Sequence, residues 1–63
     1  MNLYETMLKT YDQHRNLPHA MIVGALKVDV HEHNKLHHMK LDPSKEVNDF
    51  FAIKARYNPE KVA

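Results

Sequence analysis

An all-α fold, a small three-helix domain with helices near residues 3–15, 18–40 and 43–57, is what this 63-residue sequence predicts. Three observations carry that prediction. The first fifteen residues place apolar side chains at helical spacing. The last third opens and closes on clear helix signals. The middle holds its longest apolar run beside a continuous polar arc.

The N-terminal element is the plainest. Asn2 is a good helix N-cap, and Glu5 three residues on completes a capping-box pattern. Leu3, Met7, Leu8 and Tyr11, with Tyr4 beside them, form one apolar stripe at the 3.6-residue period. His14 and Arg15 suit the negative end of the helix dipole. Pro18 then ends the element by disfavouring helical geometry at Leu17.

The C-terminal element begins at Asp42-Pro43, with the aspartate as cap and the proline at the first helical position. Glu46 falls in the first turn, where the dipole favours an acid. Val47, Phe50, Phe51, Lys54 and Tyr57 follow at helical spacing, with Ile53 widening the stripe, until Asn58-Pro59 stops it. Residues 59–63 are predicted to form a flexible tail.

The middle, residues 19–41, holds five of the six histidines and admits two readings. As a helix it is capped by Asn16 and carries Pro18 in its first turn. At 100° per residue, Gly24, Lys27, His31, Asn34, Lys35 and His38 then fall on one polar arc. Met21, Val23, Ala25, Leu26, Val28, Val30, Leu36 and Met39 fall outside it, as in a mostly buried central helix. The alternative is an α+β unit, helix–β-hairpin–helix, with strands at 26–32 and 36–41. Leu26, Val28 and Val30 alternate with Lys27, Asp29 and His31 at period two, and His33-Asn34-Lys35 would make the turn. Helix propensity favours the first reading, although Gly24 costs that helix about 1 kcal/mol relative to alanine.

Size bounds the function. A chain of 63 residues makes one domain, 1–63, and buries only about 60% of its unfolded surface. It has no cysteine, so neither a disulfide nor a thiolate metal site can staple it. At 43% hydrophobic and 27% charged it is too apolar for a disordered chain. The formal charge of +1 lacks the basic excess of a typical nucleic-acid binder. Glu5 stands where a signal peptide would be positive, and the run 20–26 is far shorter than the roughly 20 residues of a membrane span. A cytoplasmic setting without membrane contact is therefore expected.

Enzymatic constellations are missing. Ser44 is the only serine and sits in a helix start, and Gly24 is the only glycine, so no phosphate loop exists. No enzyme activity is expected. The residues favour a small non-enzymatic regulatory or interaction module that binds a protein partner and forms a homo-oligomer. Tyr4, Tyr11, Phe50, Phe51 and Tyr57 are the candidate interface, because adjacent Phe50 and Phe51 cannot both point to the centre of one small core.

Two further chemistries have sequence support. Ala20, Gly24 and Val30 resemble the Ala–Gly–aliphatic spacing of helix-turn-helix motifs, which implies a DNA-binding face at Lys27, His31, Asn34 and Lys35. Nucleic acid is the alternative partner on that resemblance. His33 and His37 stand one helical turn apart, a spacing that can place two imidazoles on one zinc or nickel ion. His14, Asp29 or Glu32 would be the third ligand.

Overall fold

A computed structural model describes residues 2–57 as three helices: α1, Leu3–His14; α2, His19–His37; and α3, Pro43–Tyr57. The described residues are 82% helical and contain no strand. The hairpin at 26–32 and 36–41 is thus not formed. Period-two alternation across six residues is also what a helix shows wherever its apolar stripe is interrupted, and here the helical pattern extends over five turns.

Each helix starts as its sequence dictates, with one exception. The Asn2 side chain accepts the Glu5 N–H at 2.8 Å, and Glu5 returns a carboxylate to the Asn2 N–H at 3.2 Å. Asp42 Oδ1 accepts the Ser44 N–H at 3.1 Å at the head of α3. The exception is α2, which begins at His19 with Pro18, not Asn16, as its N-cap and no side-chain cap bond. The Pro18 carbonyl accepts instead from the Met21 and Ile22 N–H groups at 3.0 and 3.2 Å.

α2 also stops short of residue 40. His38 turns left-handed at φ 56°, and the Met39 N–H closes on the Asn34 carbonyl at 3.0 Å. That six-residue closure is a Schellman-type stop, usually made by glycine. The tail at 59–63 lies outside the described residues.

The core is Met7 from α1, Ile22, Leu26 and Val30 from α2, and Val47 and Phe50 from α3. Leu3, Tyr4, Leu8, Tyr11, Val23, Leu41 and Phe51 close around it. α1 and α3 meet through Tyr4 and Tyr11, whose rings lie 5.3 and 6.1 Å from Phe50. Both therefore lie on the same side of α2, which buries only the stripe Ile22, Leu26, Val30 between them. The mostly buried central helix suggested by its apolar content is not what forms. Two neighbours on one side cover one stripe.

Leu26 has no exposed surface. Leu26→Ala should cost about 2–5 kcal/mol of unfolding free energy, because it removes side-chain burial and leaves a cavity between three helices. Urea denaturation followed by circular dichroism measures this. Gly24 has the opposite outlook: a Cβ there would meet nothing within 4 Å. Gly24→Ala should stabilise the isolated chain by about 0.5–1 kcal/mol, read as a higher midpoint at low protein concentration.

Candidate functional site

The aromatic residues proposed as an interface are largely spent on the core. Phe50 is only 2% exposed and offers a partner no surface. Tyr4, Tyr11 and Phe51 are half-buried around it. Phe51 stands edge-on to Phe50 at 5.3 Å and also meets the His19 ring at 5.3 Å. Lys54 Nζ sits 4.4 Å above the Tyr11 ring, so a cation already occupies that face. The adjacent phenylalanines thus share one core, Phe50 at its centre and Phe51 at its edge. The Tyr57 side chain lies outside the described residues. Near this cluster a shallow groove between α1 and α3 is lined by Leu3, Tyr4, Met7, Phe50 and Ile53, with Glu46 and Asp49 at its rim.

On the solvent side of α3, Lys45 Nζ donates to Asp49 Oδ2 at 2.9 Å. That hydrogen bond, and then Asp49's negative charge, hold the Lys45 ammonium above its ordinary value. The pair is intact at neutral pH, and what the raised lysine contributes is lost as pH rises through the lysine range.

The DNA-binding face is not assembled as a helix-turn-helix. α2 runs without interruption from His19 to His37, so Gly24 lies inside a continuous helix and not in a turn between two. His31, Asn34 and Lys35 do line one open hollow with Glu32 and Met39, but Lys27 does not line it. Asn34 is committed elsewhere. Its Nδ2 donates to the Leu41 carbonyl and its Oδ1 accepts the Leu41 N–H, both at 3.0 Å. This two-bond clasp ties the 38–41 connection back onto α2 and fixes the amide's orientation toward Leu41.

Of the metal-site residues, His33 and His37 are brought together, with ring centroids 4.5 Å apart. They line one cleft with Leu3 and Thr6 of α1 and Asp29, Glu32 and Leu36 of α2. Asp29 Oδ2 is buried and has no hydrogen-bond partner. His14 is not a third ligand. It closes α1 at the end remote from Leu3, where its Nδ1 donates to the Thr10 carbonyl at 2.8 Å. Among the described residues no three histidine, aspartate or glutamate side chains converge on one metal position.

The outward face of α2 is apolar and, among the described residues, exposed. Met21 and Val28 are each 56% exposed, and Gly24 between them is exposed too. At 100° per residue these three lie about 140–160° from the centre of the buried stripe. Their exposure could not be read from α2 itself, because Met21 and Val28 have the same apolar character as buried Ile22 and Val30. Leu36, at 74%, is exposed near the helix end. No described helix is long and apolar enough to cross a membrane.

In comparisons with known proteins, no family model, no curated protein and no solved structure matches this chain. The class defined by the coordinates is a small all-α domain of three helices.

Asn34→Ala should cost about 1–3 kcal/mol, since it orphans both backbone groups of half-buried Leu41. Hydrogen exchange gives a local check: the Leu41 amide should lose protection while the Leu26 amide exchanges only through global unfolding.

Proposed function

We propose that this protein is a non-enzymatic interaction module that self-associates and binds a protein partner through the outward face of α2. The observation that carries the reading is the exposed stripe Met21, Gly24, Val28, opposite the core on the central helix. A second copy of the chain is the occupant that best fits it. The segment 20–26 contains no charged residue, so two antiparallel copies crossing near Gly24 oppose no like charges there. A two-fold contact of this kind is isologous, each copy offering the same surface. Gly24 has open space above it, which lets a neighbouring helix come within the short end of the usual 8–10 Å interaxial range. Burial of this face adds the apolar area that a chain of this size cannot cover alone.

The measurement is sedimentation equilibrium across a wide concentration range. A 7.4 kDa chain should shift toward twice its mass as concentration rises. Gly24→Gln should weaken that association at least tenfold while leaving the helical circular dichroism intact, because glutamine is the better helix former at an open position. Val28→Glu should do the same. A chain that stays at monomer mass up to millimolar concentration, or a Gly24→Gln variant that associates as strongly as the parent, refutes the self-association.

A further inference from the structure

The cleft at the C-terminal end of α2 lies apart from the outward stripe and has a different chemistry. We infer that His33 and His37 form a two-point chelate for a borderline divalent cation such as Zn(II), with Asp29 positioning His33. Three independent features meet there.

The first is the pair itself. Two imidazoles one turn apart, with centroids 4.5 Å apart and planes tilted by 42°, are close to the geometry a shared ion needs. Metal–nitrogen bonds of about 2.0–2.1 Å at a tetrahedral angle hold the two nitrogens about 3.3 Å apart. Small ring rotations reach that separation without moving the backbone, since His37 is exposed and His33 only half-buried.

The second is the orphaned carboxylate oxygen. Asp29 stands one turn before His33, lines the same cleft, and buries Oδ2 without a partner. A buried acceptor left without a donor is costly. A metal-bound histidine turns its other ring N–H toward such an acceptor, most often a carboxylate, which fixes the ring's orientation and raises its basicity. Asp29 is therefore assigned to the His33 ring and not to the ion. Two turns of helix separate it from His37, too far for both to bind one metal. This agrees with the absence of three convergent ligands among the described residues.

The third is the electrostatic and steric setting. His37 lies in the last turn of α2, where the helix dipole favours a cation, and Glu32 adds negative charge to the cleft. A cleft of about 130 Å³ has room for an ion and the waters completing its coordination, each water taking about 30 Å³. Imidazole is a favoured ligand for Zn(II), Ni(II) and Cu(II), and of the three Cu(II) should bind most tightly.

Calorimetric titration of the full chain with zinc sulfate tests the assignment. One equivalent should bind per chain. His33→Ala and His37→Ala should each lower the affinity at least tenfold. Asp29→Asn should lower it by about ten- to a hundredfold, the usual loss for a removed outer partner. His31→Ala and His38→Gly, which remove histidines outside the cleft lining, should leave it unchanged. Circular dichroism of each variant confirms the fold. No binding heat, undiminished affinity without His33 or His37, an equal loss on removing His31 or His38, or an unaltered Asp29→Asn variant would overturn the proposal.

Discussion

The stripe Ile22, Leu26, Val30 is the constraint on which the rest of the structure depends. These three side chains, each one turn from the next, fill the seam where α1 and α3 meet. Phe50 closes the seam from α3 and Met7 from α1, and both are almost wholly buried. Among the described residues the core has six buried members, which leaves little redundancy. Each member supports the other two helices, so a cavity at its centre is felt by all three elements.

One-sided packing has a direct consequence. A helix with neighbours on both sides would cover most of its circumference, but α2 has both neighbours on one. Its apolar residues thus divide into a buried set and an exposed set of the same chemical kind. The exposed set is the basis for reading the protein as a self-associating module. The cleft holding His33 and His37 comes from a different boundary, where the first turn of α1 meets the end of α2. The two features share a helix but no side chains, so either can fail without the other.

The connections are held by specific bonds. Between α2 and α3 the left-handed His38 turns the chain, and the Asn34 amide clasps Leu41. Between α1 and α2 the Leu17 N–H returns to the His14 carbonyl at 2.9 Å, and Pro18 opens the next helix. Short connections with few bonds of this kind set the angles at which the helices meet.

Much of this was legible in the residues. Asn2 with Glu5, and Asp42 with Pro43, announce two helix starts because capping is local chemistry between groups two or three residues apart. The 3.6-residue period of the apolar side chains set the identities of the two terminal helices for the same reason. The pairing of His33 with His37 also follows from spacing alone. Other features were not legible. Asn34 reads as a surface amide until the chain folds back and presents the Leu41 backbone to it. Asp29 reads as an intruding charge until the fold buries one of its oxygens. The aromatic cluster reads as surplus until Tyr4 and Tyr11 are seen packed on Phe50. The sequence by itself determined the two terminal helices, their caps and the histidine spacing, and it favoured a helix between them without deciding it. The tertiary structure alone decided which apolar face of α2 is buried, because helix period depends on neighbours along the chain, whereas burial depends on where the other two helices dock.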